Sequence, residues 1–380
     1  MARMNTDKKE QESKVTGPER LPRSAAFLSL ILSFLSVVRP ASDKRRLGRA
    51  VFLWWLAGFC FLQLGLAVVF EVWRPEFRDP EYGKKLAQVR DLVEQAPDRP
   101  LVLVLGSSRV LNGVRPNLLP ALPTPEGEAL VYNFGLTGAG PLHQLLTLRR
   151  LLDAGIRPRW IIMEILPATI APEWFAEDLV KGESLSWHDF ALVNRYSHDS
   201  PRLYRSWLED RSLPWFTARF RLLSAFLPHW APDNAPHHYV WNHLDSRGWL
   251  RLGKQPPQAR QRALQYARTN LRPILQAFHI GAVAKRALPE LLELCHREKI
   301  RTAFLLMPEG PTFRSWYPPQ AENILRGFLR KYQQKYKTPL IDARTWVPEE
   351  EFLDSHHLLA PGAARFTHRL GDEGLRPLFE

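Results

Sequence analysis

The sequence predicts an α/β fold, a doubly wound parallel sheet covered by helices on both faces and carried behind an N-terminal transmembrane helix. Three observations lead there. Short, continuous apolar runs, such as residues 101–105 and 160–165, alternate with segments of helical period, the pattern of buried parallel strands joined by crossover helices. Residues 50–70 contain no charged side chain, and a run of that length crosses a hydrocarbon core of about 30 Å at 1.5 Å per residue. A chain of 380 residues, 45% hydrophobic and 24% charged, has the composition of a folded protein with a sizeable core.

The formal net charge of +13 is unevenly placed. The first 49 residues hold eleven Lys/Arg against five Asp/Glu, so residues 1–49 read as a basic cytoplasmic tail and 50–73 as the transmembrane helix. The rest of the chain shows no basic stripe with interleaved aromatics, and nucleic acid is not an expected partner. Trp54, Trp55 and Trp73 stand near the ends of the span, as interfacial aromatics do. Lys44, Arg45, Arg46 and Arg49 precede it, whereas Glu71, Glu76 and Asp79 follow it, mixed with Arg74 and Arg78. The positive-inside rule then gives a single-pass protein with its N-terminus in the cytoplasm and residues from 74 onward outside it, periplasmic or extracellular. A cleaved signal peptide fits less well, because the run begins about fifty residues into the chain and exceeds the usual core of about 7–15 residues. Residues 25–38, with serines at 29, 33 and 36, read as an interfacial amphipathic helix rather than a second span. Cys60 and Cys295 form no disulfide framework and no metal site.

Residues 74–100 read as a stalk with one short charged helix around 84–95, and 101–380 as the folded domain. Within it, 101–105 and 129–132 are the first strands. Residues 142–152 form a helix with Leu145, Leu146, Leu148, Leu151 and Leu152 on its apolar side, closed by Gly155. A third strand spans 160–165. Later come a helix at 288–297, a strand at 302–307 ended by Pro308, a helix at 321–336, a short strand at 339–341 and a final helix at 363–370. Residues 171–278 break the alternation and read as a long insertion, dense in aromatic rings: Trp174, Trp187, Trp207, Trp215, Trp230, Trp241 and Trp249. Such rings either build a satellite core or offer their faces to sugars. An insertion of this length beside a strand end is expected to serve as a lid or specificity element. His237, His238, His243 and Asp245 cluster there, but in no spacing known from zinc sites, and no metal is expected.

The first strand runs into Gly106-Ser107-Ser108-Arg109. This places a serine hydroxyl just past the carboxyl end of a strand, where open α/β sheets keep their binding sites. Taken alone the turn is equally a helix N-cap, or an anion contact through Arg109. Asp354-Ser355-His356-His357-Leu358, followed by Gly362, supplies the missing parts near the other end of the chain. A serine hydroxyl needs a base within hydrogen-bond reach, and a carboxylate fixes the tautomer of that base.

With these blocks in this order the chain resembles the SGNH (GDSL-type) hydrolase superfamily, and more closely its membrane-anchored, polysaccharide-modifying branch. The resemblance covers roughly residues 101–166 and 301–370. It implies a three-layer, flavodoxin-like sheet, with Ser108 of Gly-x-Ser as nucleophile, His357 as base and Asp354 as its partner in Asp-x-x-His. Asn133-Phe134-Gly135-Leu136-Thr137-Gly138 resembles the second block, which implies an oxyanion hole made by the backbone N–H groups of Ser108 and Gly138. Arg109 and Asn133 are further candidate contacts to substrate or an anion. The third block departs from the family: its Gly-x-Asn-Asp turn carries an asparagine that helps bind the oxyanion, and here Glu164-Ile165-Leu166-Pro167 follows the strand. A carboxylate donates no hydrogen bond unless protonated. The resemblance implies a serine esterase or O-acetyltransferase acting on esters, foremost acetyl groups of cell-envelope glycans, with no metal or cofactor and with other envelope polysaccharide machinery as partners. The alternative is a catalytically silent domain of this fold, serving as a glycan-binding or assembly component at the membrane.

Overall fold

The structure, a computed structural model, describes residues 43–171, 182–232, 240 and 242–380. The basic tail up to residue 42, the short apolar stretch 25–38, Trp174, His237, His238 and Trp241 lie outside the described residues.

Five parallel strands form the central sheet: β1 (Leu101–Gly106), β2 (Leu130–Gly135), β3 (Trp160–Glu164), β4 (Arg301–Leu306) and β5 (Leu340–Asp342), in the order β2-β1-β3-β4-β5. Along β1, Leu101, Leu103 and Leu105 enter one core while Val102 and Val104 enter another. Both faces are therefore covered, which is why the strands read as unbroken apolar runs. The main helices are α1 (Asp43–Val68), α2 (Pro80–Gln95), α3 (Ser108–Gly113), α4 (Pro141–Asp153), α5 (Trp187–Asn194), α6 (Ser200–Ser212), α7 (Pro214–Phe226), α8 (Pro257–Gln276), α9 (Ala282–Arg297), α10 (Ala321–Tyr336) and α11 (Ala360–Arg369). Helices α2, α4, α8, α9 and α10 pack on the first face, and α3 and α11 on the second. Helix α4 stops where the sequence indicates, at Gly155 with φ of +82°, the left-handed turn that returns the Gly155 and Ile156 N–H groups to Leu152 and Leu151.

This strand order has its switch point at β1, whose two neighbours are reached by connections that diverge. In open α/β sheets the carboxyl ends of the strands at such a point are where ligands bind. The turn at Ser108 stands at that end of β1.

The segment expected to be a stalk is part of the domain. Asp79 caps α2 by accepting from Tyr82 N, and Leu86 and Val89 enter the first core. The charges that made α2 look like a solvated helix point inward. Lys85 donates to the carbonyls of Asn133 (2.8 Å) and Gly248 (2.6 Å), and burial lowers its ammonium to about 7. Glu81 accepts from Thr137 N and Oγ1, and burial raises its carboxyl.

Between β3 and β4 the described residues add no strand to the sheet and carry α5 to α9. Trp207 is buried in the first core and Trp249 in the second, where its indole N–H donates to Asn112 O at 2.7 Å. Trp187, Trp215 and Trp230 stay exposed. Asp245 is used locally, accepting from Arg247 N, Trp249 N and Asn117. At the other end of the described chain, the helix Arg46–Trp73 is long and apolar enough to cross a membrane.

Candidate active site

Gly106 ends β1 at a place with no room for a side chain: a Cβ there would stand 2.5 Å from Glu164 Oε2 and collide with Val110. Helix α3 begins at once. Ser107, in extended conformation, is its N-cap, and its Oγ accepts from Arg109 N at 3.2 Å. Ser108 is the first helical residue, and its Oγ lies 2.8 Å from His357 Nε2. The two serines thus divide the two roles open to this turn. Ser107→Ala is expected to cost about 1 kcal/mol through the lost cap, seen as a lower melting temperature, while leaving the reactivity of Ser108 largely intact. Loss of both would show that Ser107 does more than cap.

The histidine comes from the loop between β5 and α11. Asp354 Oδ2 lies 2.8 Å from His357 Nδ1, and Oδ1 accepts from the backbone N–H of His357 (2.8 Å) and His356 (3.2 Å). Ser355 between them has φ of +68°, a left-handed conformation that costs a non-glycine residue on the order of 1 kcal/mol. Three hydrogen bonds hold it: Gly310 N donates to Ser355 O, Phe313 N donates to Ser355 Oγ, and Ser355 Oγ donates to Glu349. With Nδ1–H given to Asp354, His357 Nε2 is the acceptor facing Ser108; this tautomer follows from the partners. Burial by itself would raise the Asp354 carboxyl, but the two histidines outweigh it and hold the group well below the usual carboxylate range.

His357 keeps 20% of its side chain exposed, whereas His356 is pressed between Phe313 (5.1 Å between centroids) and His357 (4.0 Å). Burial, and then the neighbouring His357, lower His356 below its ordinary range. Asp354, His356 and His357 bring three potential metal-ligating atoms within 4.8 Å of one another. Their N···O separations are 2.8 and 3.1 Å, hydrogen-bond lengths, while two ligands of one tetrahedral zinc at 2.0–2.1 Å would stand about 3.3 Å apart. The spacing suits shared protons.

Two expected contacts are corrected. Arg109 does not face a ligand. It is 1% exposed, lies 3.6 Å from Glu164 and 3.3 Å from Glu309, and donates to the carbonyls of Met307 and Pro308. It ties the Ser107–Ser108 turn to the end of β4. Asn133 is fully buried: its amide donates to Val110 O and Val114 O, and its Oδ1 accepts from Gly135 N. That arrangement leaves it nothing to offer a substrate, and its role is to fasten α3 to β2. Glu164, the last residue of β3, also turns inward and accepts from Ser107 N at 2.5 Å. Gly138 has φ of +71°, and neither its N–H nor that of Ser108 has a hydrogen-bond partner among the described residues.

Searches against protein-family models and against curated proteins find no match to this chain. Glu309, Ser355 and Phe313 belong to the site and were not singled out in the sequence. Burial raises the Glu309 carboxyl, which also accepts from Tyr317 at 2.9 Å. Its position just after an apolar strand, where a charge needs a partner, was the available signal.

Proposed function

We propose that the chain is a membrane-anchored, SGNH-like serine esterase or O-acyltransferase that acts on acetyl or similar esters of cell-envelope glycans. The observation that carries this is the unbroken hydrogen-bonded series Ser108–His357–Asp354, with both side-chain links at 2.8 Å. His357 takes the serine proton as Oγ attacks the ester carbonyl, and Asp354 stabilises the imidazolium that forms. The negative charge on the carbonyl oxygen faces the N–H groups of Ser108 and Gly138. Collapse expels the sugar oxygen, which takes the proton back from His357. The acyl group on Ser108 then passes to water or to another hydroxyl. In this reading the span carries its N-terminus in the cytoplasm and holds the domain outside, where envelope glycans and their machinery lie.

Glu164 favours a second reading. Its carboxylate is engaged by Ser107 N and Arg109 and offers no donor where the SGNH pattern has its asparagine, and loss of one oxyanion donor costs about a hundredfold to a thousandfold in rate. A silent, glycan-binding domain fits that loss. Acetate release decides between them: the full-length protein in detergent should hydrolyse an aryl acetate and deacetylate an O-acetylated glycan. A folded protein that releases no acetate from either would leave the silent reading.

A further inference from the structure

A cavity of about 440 Å³ lies beside the C-terminal part of the apolar helix, well apart in sequence from the catalytic elements. Ala67, Phe70, Trp207 and Ala218 contribute apolar lining, and Glu71, paired with Arg78 and Arg211, contributes charge. The outer wall is α7. Trp215 N donates to Gln63, Ala218 packs with Phe70 and Phe77, and the rings of Phe77 and Phe226 are 5.5 Å apart. Helix α7 therefore runs alongside the chain from Gln63, within the apolar helix, to Phe77, in the turn just beyond its end. Gln63 lies ten residues before Trp73, about 15 Å along the helix axis, or half the thickness of a hydrocarbon core of about 30 Å.

A helix fixed at that depth beside a membrane span meets lipid on its outer side. The surface of α7 and the turn after it agrees: Trp215, Phe216, Phe226, Leu227 and Trp230 are 44–79% exposed, an apolar face that water does not favour. Arg219, on the same helix, lays its guanidinium over Phe216 and Phe220, as a snorkelling side chain does.

We propose that this cavity is a lipid site: α7 is sunk in the outer part of the bilayer, and one hydrocarbon chain of a bilayer lipid enters between it and the apolar helix, with its polar head toward the Glu71, Arg78 and Arg211 cluster. The inference rests on the membrane-spanning part of the reading above and is independent of catalysis.

The test uses the full-length protein in nanodiscs of phosphatidylcholine bearing a diazirine in mid-chain, with cross-links mapped by mass spectrometry. Labelling is expected on residues 50–60 of the span, on the outer face of α7 and on Trp207 inside the cavity. Thr217→Trp, which fills the cavity from α7, should remove the Trp207 label and spare the others. Ala67→Phe fills it from the opposite wall, should Thr217→Trp misfold. Labelling of 50–60 without Trp207, or a Trp207 label that survives both fillings, overturns the lipid site while the span stands. No labelling of 50–60 overturns the span as well.

Discussion

Arg109→Leu is expected to destabilise the protein by about 3–5 kcal/mol, the cost of removing one partner from a buried ionic cluster. The loss leaves Glu164 and Glu309 without their cation and the Met307 and Pro308 carbonyls without a donor. Denaturant midpoints at neutral pH should show it. The deficit should shrink as pH falls toward 4.5, the ordinary value for glutamate. Burial raises the Glu309 carboxyl in the folded state and Arg109 opposes that rise, so without Arg109 the penalty is full above the raised value and fades as folded and unfolded states both become protonated. A deficit under about 1 kcal/mol, or one that does not change with pH, would mean that the cluster is solvated and does not brace the turn.

The second large effect separates the adjacent histidines. His357→Gln should lower ester hydrolysis by a factor on the order of 10⁴, as loss of the base does in other serine sites. His356→Gln should keep most of the activity and show its effect in stability, since His356 is stacked on Phe313 and away from Ser108. Initial rates on an aryl acetate, with folding checked by circular dichroism, give both. An inactive His356→Gln beside an active His357→Gln would break the pairing drawn here.

The sheet was legible because parallel strands buried on both faces carry a plain apolar signal, and all five fall within a few residues of the expected runs. Helix α10 has the expected bounds because Leu325, Leu329 and Tyr332 recur on one side. Helix α2 was misread for a physical reason. Glu81 and Lys85 look like solvent-facing charges in sequence, and only tertiary partners make them interior. The same limit hid the work of Arg109 and Asn133. Their side chains suit a ligand, and what they bind is this chain's own backbone and carboxylates. Ser108, Asp354 and His357 were legible as residue types in a given order, and the 2.8 Å links between them are what sequence does not contain. Ser355 carried no signal, because a left-handed serine looks like any other serine.

The most direct test of the proposed serine chemistry needs no knowledge of the substrate. A fluorophosphonate reacts with a serine only when a neighbouring base activates it. Incubated with the full-length protein and mapped by peptide mass spectrometry, the probe should modify Ser108 in the wild type and in Ser107→Ala, and should fail to modify it in His357→Gln. A folded wild-type protein that gives no adduct, or an adduct on any residue other than Ser108, contradicts the account.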